Sequence, residues 1–529
     1  MYVPMLLPQF LDRAVKLYGK KTGIMDDEKV YTYSEVNGRV NQLSRGLRET
    51  GIGKGDRVAY LAPNTSEMFE GFYGVLQLGA VMVPLNTRLI PEDYLYILNH
   101  SETKVLFVDE DLLHLIEPVR EKFTFVEKII VHGLETSSEE ITAYEEWLGR
   151  YSKNPVERPE MDENDLATLL YTSGTTGKPK GVMLTHRSNY LHALTTMHHL
   201  RVSDTDVLLH ILPMFHVNGW GSPFYYTANG STQVCLRKVN PEEIFKKIEN
   251  HGVTVMHMAP TVLNSLLQYA EKNEIRPQPQ DIRIVIAGSA PPPAFVKRVE
   301  EKLKWEFIQV YGMTEASPLI TTSIIRETQK HLSNKEKYRI KAKAGYEFIG
   351  SDVRVVNESG DEVKQNGKEL GEVIVRGNGV MEGYWNNQEG TDEVIRDGWY
   401  HTGDMAIVDE EGNIEIADRK KDIIISGGEN ISSIEVEGVL YDHPEVLEVA
   451  VISVPHEKWG ETPHAIVVLR EGAAVTEEEL IEYSRTRLAH FKAPTKVAFV
   501  DELPKTASGK IQKVHLRKDY WKGKEKFVN

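Results

Sequence analysis

A short segment rich in glycine and hydroxyl side chains, residues 171–181, is the most chemically distinctive part of the sequence. It has the sequence YTSGTTGKPKG and follows a strand-like apolar run at residues 166–170. Its three glycines allow tight turns, its four Ser and Thr hydroxyls can bind phosphate or magnesium, and Lys178 and Lys180 add positive charge. The segment therefore predicts a phosphate-binding loop. It is not a Walker A loop, because no Ser or Thr follows the lysine.

Six further motifs follow along the chain, each with residues suited to nucleotide or metal chemistry. They are LPMFHV at residues 212–217, AGSAPP at 287–292, QVYGMTE at 309–315, WYHTGD at 399–404, DRKKDIIISGGENI at 418–431 and PKTASGK at 504–510. A carboxylate such as Asp404 can accept hydrogen bonds from both hydroxyls of a ribose. Taken alone, His216 would be a core histidine, Asp404 a turn residue and Lys510 a solvated charge. The occurrence of these residues within the listed motifs, and the order of the motifs along the chain, indicate that the residues have functional roles.

In this order the motifs resemble those of the superfamily that contains acyl-CoA synthetases, peptide-synthetase adenylation domains and beetle luciferases. The resemblance covers essentially the whole chain. It implies that the chain uses ATP and Mg²⁺ to activate a carboxylic acid as an acyl-adenylate, and then transfers the acyl group to CoA. The residues around 216–220 and 426–433 most resemble medium- and long-chain fatty acyl-CoA synthetases and plant-type acyl-activating enzymes.

The resemblance also implies roles for individual residues. The implied catalytic residues are Lys510, His216, Glu315 and Thr176, with Thr176 and Glu315 as ligands of Mg²⁺, which usually binds through one or two carboxylates plus substrate phosphates. The implied cofactor-binding residues are Thr172, Ser173, Gly174, Thr175, Thr176, Gly177, Lys178, Lys180, Gly288, Ser289, Ala290, Gln309, Tyr311, Gly312, Thr314, Asp404, Arg419, Lys421, Gly427, Gly428 and Lys510. The implied substrate-binding residues are His216, Trp220, Gly288, Gly312 and Met313.

A two-step reaction of this kind implies movement of the C-terminal part of the chain. Attack of a carboxylate on the α-phosphate brings two anions together, and the long ammonium side chain of Lys510 is suited to contact both. The CoA thiol must then reach the carbon that Lys510 covered, through a tunnel that Gly427 and Gly428 are implied to line. Lys421 is the implied hinge between the two arrangements.

The distribution of strand-like and helix-like segments predicts an α/β multidomain protein. Strand and helix patterns alternate from Tyr31 onward, which indicates parallel, buried sheets, and short β segments with turn residues follow at 345–398. With the resemblance, this predicts an N-terminal domain over residues 1–419, made of two parallel-rich α/β sub-domains and a small β sub-domain. A small mobile α+β domain is predicted over residues 420–529.

Composition excludes several other classes of protein. The formal net charge of -16 opposes non-specific binding of nucleic acid, and Cys235 is the only cysteine, which excludes an intrachain disulfide and a multi-cysteine metal site. We find no run of about 18 apolar residues that could span a bilayer. Residues 1–10 lack the basic leader of a signal peptide. A cytoplasmic enzyme is expected, and a homodimer is left open.

The sequence gives less information about which carboxylic acid is the substrate than about the type of reaction. The segments expected to line its pocket, residues 217–226, 258–261 and 312–316, are mostly apolar or small and carry no basic residue, which favours an uncharged tail. The main prediction is a medium- to long-chain fatty acid. The alternatives are a short-chain or aromatic acid, a carrier protein in place of CoA, luciferase-like oxidation, and a silent nucleotide-binding protein.

Overall fold

The computed structural model describes residues 1–138, 141–172, 178–288, 291–427, 429–506 and 511–522. Among these residues we find no helix with the length and hydrophobicity of a transmembrane span. Four sheets organise the described chain, and helices pack against them. The helices are Pro8–Tyr18, Tyr33–Glu49, Ser66–Leu76, Pro91–His100, Tyr144–Leu148, His186–His199, Val217–Trp220, Ser222–Ala228, Pro241–His251, Pro260–Lys272, Pro293–Lys302, Asn334–Lys341, Gln388–Val394, Ser433–Tyr441, Glu477–Arg485 and Lys513–Lys518, with 3₁₀ turns at Glu110–Leu115, Glu117–Lys122, Thr314–Ala316 and Glu327–Gln329.

A nine-stranded sheet forms the first layer of the large N-terminal part. From one edge to the other its strands are Tyr346–Glu347, Leu319–Thr322, Glu306–Gly312, Arg283–Ile286, Val255–Met258, Val207–His210, Thr232–Cys235, Thr22–Asp26 and Lys29–Thr32. The strands between Glu306–Gly312 and Thr22–Asp26 are parallel. Their residues are almost wholly buried because helices cover both faces.

An eight-stranded sheet forms the second layer. Its strands, in spatial order, are Gly383–Tyr384, Lys180–Thr185, Leu166–Thr172, Val81–Pro84, Arg57–Leu61, Thr103–Asp109, Lys128–His132 and Thr142–Ala143. The helix Ser66–Leu76 begins after Thr65, whose hydroxyl accepts a hydrogen bond from the backbone N–H of Met68 at 3.2 Å. The two parallel-rich sub-domains predicted from the alternating pattern are confirmed.

A smaller antiparallel sheet follows in the region predicted to be β-rich. It contains Ser351–Val356, Gly371–Gly377, Trp399–Val408 and Ile395–Arg396 in that order, and Ile414–Arg419 pairs with Trp399–Val408. In this last pairing Asp404 lies opposite Arg419. The register therefore brings together two residues that the sequence assigns to nucleotide binding.

The C-terminal residues form a fourth sheet with its own apolar core. Its strands are Glu429–Ile431, Ile424–Ser426, Gly460–Leu469 and Val446–His456, and Lys496–Phe499 pairs with Gly460–Leu469. Ile424, Val436, Val451, Val467 and Leu480 are among the buried residues that pack together here. This agrees with the predicted small α+β unit, while the boundary at residues 419 and 420 and the mobility of the unit stay predictions.

Candidate active site

The parallel strands of the nine-stranded sheet bring several predicted site segments to one edge. Val207–His210 leads into the segment with His216, Arg283–Ile286 ends just before Gly288, and Glu306–Gly312 ends just before Met313. Ligands of α/β proteins commonly bind at the carboxyl ends of parallel strands. The order of these segments along the edge is set by strand pairing, which joins motifs that are distant in sequence.

Tyr311 and Asp404 form the most direct link between two predicted nucleotide-binding residues. The Tyr311 hydroxyl donates a hydrogen bond to Oδ2 of Asp404 at 2.8 Å, and Nε of Arg419 lies 3.5 Å from Oδ1 of the same carboxylate. Asp404 is buried, and burial raises the pKa of the Tyr311 hydroxyl well above its ordinary value, so Tyr311 stays a neutral donor. The carboxylate is thus held in a fixed position as a hydrogen-bond acceptor.

Two predicted glycines have clear backbone reasons to be glycine. A Cβ on Gly312 would lie 1.8 Å from the carbonyl oxygen of Pro318, so no larger residue fits beside that backbone. Gly288 has a φ of 106°, which other residues rarely adopt. Next to Gly312, Thr314 is buried in a 3₁₀ turn, and Gln309 is buried in the preceding strand. Glycine is therefore required by close approach of the Pro318 backbone at Gly312 and by the positive φ at Gly288.

Glu315 is fixed by a tyrosine that sequence analysis missed. The hydroxyl of Tyr384 donates to Oε1 of Glu315 at 3.0 Å, and the Met381 backbone N–H donates to the Glu315 carbonyl at 2.8 Å. The ammonium of Lys180 lies 4.8 Å from the centre of the Tyr384 ring. Burial raises the pKa of the Glu315 carboxyl. Tyr384 therefore contacts both the predicted metal ligand and a lysine of the phosphate segment.

The surroundings of Glu315 fit a magnesium ion bound with substrate phosphates. Among the described residues, no three His, Cys, Asp or Glu side chains lie close enough together to bind a metal ion on their own. Mg²⁺ in phosphate-transferring enzymes needs only one or two carboxylates because phosphate and water supply its other ligands. Glu315 provides one such carboxylate on a buried turn. Thr176, the other predicted ligand, lies outside the described residues.

The segment that begins at His216 has an unusual backbone. Val217, Asn218, Gly219 and Trp220 have φ angles of 48°, 54°, 61° and 57°, so the chain makes a left-handed turn directly after His216. This conformation is costly for the β-branched Val217. The Asn218 amide holds the turn by donating to Thr168 Oγ1 and Asn189 Oδ1, each at 3.1 Å.

The turn directs Trp220 into the interior of the protein. Trp220 is 5 % exposed, and its indole stacks on the ring of His257 with ring centres 5.9 Å apart and an interplanar angle of 21°. His216 is half-buried at the start of the turn, and Met313 is half-buried beyond Gly312. Sequence analysis assigned the acyl pocket to apolar and small residues, and it missed the buried polar ring of His257.

The other residues that the sequence assigns to the site make separate contacts. Thr172 pairs with Lys180 across neighbouring strands, and the exposed Lys178 lies 5.0 Å from the ring of Tyr96. Lys421 and Gly427 are exposed in the C-terminal part. A Cβ on Gly427 would lie 2.9 Å from the Trp459 ring, so a glycine is favoured there. The remaining predicted residues lie outside the described residues: Ser173, Gly174, Thr175, Thr176, Gly177, Ser289, Ala290, Gly428 and Lys510.

Comparison with protein families decides the assignment. A model described as AMP-binding enzyme matches residues 11–385, and one described as AMP-binding enzyme C-terminal domain matches residues 435–510. This chain belongs to the AMP-binding enzyme family. The predicted membership of the adenylate-forming superfamily is confirmed, and with it the class of AMP-forming acid–CoA ligases, which use ATP, Mg²⁺ and CoA.

Three relatives of this AMP-binding enzyme are named as CoA ligases of small acids. It is 38% identical to the peroxisomal benzoate–CoA ligase of Arabidopsis thaliana, over 97% of this chain and 93% of the relative. The peroxisomal butyrate–CoA ligase AAE11 of the same plant is also 38% identical, over 97% and 93%. The 4-hydroxybutyrate–CoA ligase 2 of Metallosphaera sedula is 38% identical, over 96% and 93%.

Solved structures share the fold over nearly the full length. The anthranilate CoA ligase AuaEII in complex with anthranoyl-AMP matches with a TM-score of 0.88 and 26% identity, over 98% of both chains. ATP-bound MatB from Rhodopseudomonas palustris matches with a TM-score of 0.84 and 28% identity, over 98% of this chain and 99% of MatB. The predicted adenylate-forming ligase fold is confirmed.

Proposed function

We propose that this enzyme joins a short-chain or aromatic carboxylic acid to CoA through an acyl-adenylate. The observation that carries the proposal is the 2.8 Å hydrogen bond between Tyr311 and Asp404, with Glu315 in the 3₁₀ turn that directly follows the strand of Tyr311. Tyr311 offers an aromatic face, Asp404 a carboxylate for the ribose hydroxyls, and Glu315 a carboxylate for magnesium. These are the groups that an adenylate-forming site requires.

In the proposed first step, the chain's own residues orient ATP and the acid for in-line attack. Tyr311 provides a surface for the adenine, Asp404 accepts from the ribose hydroxyls, and Thr314 contacts the α-phosphate. Bound Mg²⁺, held by Glu315 and Thr176, would neutralise charge on the phosphate oxygens. Lys510 contacts the carboxylate and the α-phosphate as a carboxylate oxygen bonds to the α-phosphorus and the bond to pyrophosphate breaks. In the second step the CoA thiol, losing its proton, attacks the acyl carbon and AMP leaves.

The proposed substrate range differs from the main expectation of a medium- to long-chain fatty acid. The named substrates of the relatives are benzoate, butyrate and 4-hydroxybutyrate, and that of the structural neighbour is anthranilate. They support the alternative of a short-chain or aromatic acid. The buried, enclosed position of Trp220 also supports a compact pocket.

The experiment is a panel of acids with ATP, Mg²⁺ and CoA, with AMP and acyl-CoA followed by mass spectrometry. Acetate, butyrate, benzoate, octanoate and palmitate cover the alternatives. Thioester from butyrate or benzoate at rates well above those from octanoate and palmitate is expected. Faster reaction with octanoate or palmitate would favour the original prediction of a medium- to long-chain fatty acid, and adenylate without thioester would indicate a carrier protein as the acceptor.

We also propose that residues 420–529 swing about Lys421 between adenylation and thioester formation. The separate sheet and core of this part support independent movement, and Gly427 would line the CoA tunnel. Proline restricts φ and removes a backbone N–H. A Lys421→Pro variant should therefore slow one half-reaction more than the other, and equal rates to wild type in both would contradict the hinge.

The cytoplasm is the proposed location of this enzyme, and a homodimer is the assembly to be tested. The presence of one cysteine, Cys235, in the sequence favours a reducing compartment such as the cytoplasm. Both Arabidopsis relatives described above are peroxisomal by name. Imaging of a tagged full chain would separate these compartments, and analytical ultracentrifugation would test the homodimer.

A further inference from the structure

A cleft at the far end of the strand that carries Tyr311 supports a further inference. The cleft has a volume of about 300 Å³ and lies at the amino end of Glu306–Gly312, where Glu306, Phe307 and Ile308 line it. The strand is seven residues long, and at about 3.3 Å per residue it spans roughly 20 Å. Tyr311 lies near its carboxyl end. The cleft is therefore separate from the proposed nucleotide site.

The helix Asn334–Lys341 forms one wall of the cleft. A capping box fixes its start, because the Glu336 backbone N–H donates to the Ser333 hydroxyl at 3.4 Å and the Ser333 N–H donates to the Glu336 carboxylate at 2.8 Å. The helix residues that line the cleft are three or four positions apart and so share one face. They are Asn334, Lys337, Tyr338 and Lys341.

The surface between these polar groups is largely apolar. Ile324 and Ile325, which follow the strand Leu319–Thr322, are half-buried and line the cleft. Tyr338 is 8 % exposed, and Phe307 is buried in the sheet. A ligand that covered the two isoleucines would remove apolar surface from water. The cleft therefore favours a ligand with an apolar body.

Both carboxylates in the lining are already paired. Nη2 of Arg201 lies 2.6 Å from each carboxylate oxygen of Glu306. The Glu300 carboxylate accepts a hydrogen bond from the ammonium of Lys341 and another, at 3.1 Å, from the backbone N–H of Phe307. These contacts engage two of the four basic side chains in the lining. The other two are Lys330 and Lys337.

Lys337 is the cation best placed to pair with a ligand. Lys330 already pairs with Glu327, and both of these side chains are highly exposed. In the part of the chain that the structure describes, the Lys337 ammonium has no ion-pair or hydrogen-bond partner, and the residue is half-buried. The lining is thus locally positive in a chain whose formal net charge is -16. A single negative charge matches it, whereas a polyphosphate would meet the two carboxylates.

We propose that this cleft is a second binding site, which takes a small aromatic or short-chain carboxylate. The carboxylate pairs with Lys337, and the apolar part packs against Ile324, Ile325 and Tyr338. A small ligand is expected because ligand pockets start at about 300 Å³. The inference is independent of the proposed function, since none of these residues belongs to the active site.

The test uses 4-fluorobenzoate as the probe, followed by fluorine NMR without ATP or CoA. Benzoyl-sulfamoyl adenosine at saturation fills the active site, and uncharged 4-fluorobenzamide shows whether the carboxylate is needed. Wild type is compared with Lys337→Gln and Ile325→Asn. Lys335→Gln is the matched control, because Lys335 is exposed on the same helix and does not line the cleft. Thermal unfolding checks that every variant is folded.

Filled wild type should bind about one equivalent of 4-fluorobenzoate, at least about tenfold more tightly than 4-fluorobenzamide, since hydrogen bonds to charged groups are the stronger ones. Folded Lys337→Gln and Ile325→Asn should each weaken binding at least about tenfold, and Lys335→Gln should not. No binding to filled wild type, or equal binding by Lys337→Gln, would overturn the inference. A chain that made no acyl-CoA but lost probe binding in Lys337→Gln would contradict the proposed function and leave the cleft standing.

Discussion

The hydroxyl of Tyr311 donates a 2.8 Å hydrogen bond to the carboxylate of Asp404, 93 residues further along the chain. Tyr311 belongs to the nine-stranded sheet and Asp404 to the small antiparallel sheet. The contact therefore joins two sub-domains through residues that sequence motifs assign to the same nucleotide. It places the proposed nucleotide site where these sub-domains meet.

Replacing Asp404 tests this site directly. An Asp404→Asn variant retains the shape but loses the charge that strengthens hydrogen bonds to ribose hydroxyls, which contribute about 1.5–3 kcal/mol each. AMP should bind about 10- to 100-fold more weakly, measured by calorimetry. Asp352→Asn is the control, since Asp352 lies on the exposed edge of the same small sheet and pairs with Arg376. Unchanged AMP affinity in Asp404→Asn would remove the residue from the site.

Glu315 is predicted to act through magnesium. Its carboxylate is fixed by Tyr384 at 3.0 Å, so Glu315→Gln changes charge more than position. Pyrophosphate release with a good acid substrate should fall about 10²-fold or more, and more Mg²⁺ should be needed for half-maximal rate. The nearby exposed Glu382 provides a matched control as Glu382→Gln. A Mg²⁺ titration identical to that of wild type would argue against this role.

Buried histidines should make the fold sensitive to acid. His192 is buried in the helix His186–His199, and burial lowers its pKa to about 3. Between pH 6.5 and 3 the unfolded chain binds a proton there and the folded chain does not, so stability falls as pH falls, by about 1.4 kcal/mol per pH unit.

The measurement is denaturant unfolding at pH 6.5 and pH 5 for wild type, His192→Gln and His198→Gln. His192→Gln should lower overall stability but lose about 2 kcal/mol less than wild type over this interval. His198 is exposed on the same helix, so its variant should behave like wild type. Equal pH dependence in wild type and His192→Gln would contradict the buried, neutral state.

A buried ion pair should stabilise the C-terminal unit near the predicted hinge. Nζ of Lys513 lies 2.6 Å from Oε1 of Glu437, and both side chains are at most one-fifth exposed. Lys513→Met removes the positive charge beside the buried carboxylate, which keeps only its hydrogen bond from the Val451 backbone N–H, and should cost about 3 kcal/mol. Adding Glu437→Leu should restore part of this loss. Urea unfolding checks both variants, with the exposed Lys518→Met as control. No loss in Lys513→Met would mean that the pair does not stabilise the unit.

Sequence motifs predicted the family and the fold because they specify local chemistry in a fixed order. The contacts of Tyr384 and His257 were not predictable in this way. Tyr384 reaches Glu315 because Gly383–Tyr384 pairs with the distant strand Lys180–Thr185, and His257 meets Trp220 only through a left-handed turn. Val217 gives no sequence signal for such a turn, since β-branched residues disfavour positive φ.

The central claim is acid activation as an adenylate followed by transfer to CoA, and the two half-reactions can be measured separately. Wild type, Lys510→Ala and the control Lys518→Ala are given ATP, Mg²⁺ and butyrate or benzoate without CoA, and pyrophosphate and acyl-adenylate are quantified by mass spectrometry. CoA is then added and thioester is measured. We predict adenylate and then thioester in wild type and the control, with adenylate formation reduced about 10²-fold or more in Lys510→Ala. Absence of adenylate and AMP in wild type with every acid of the panel would contradict the account.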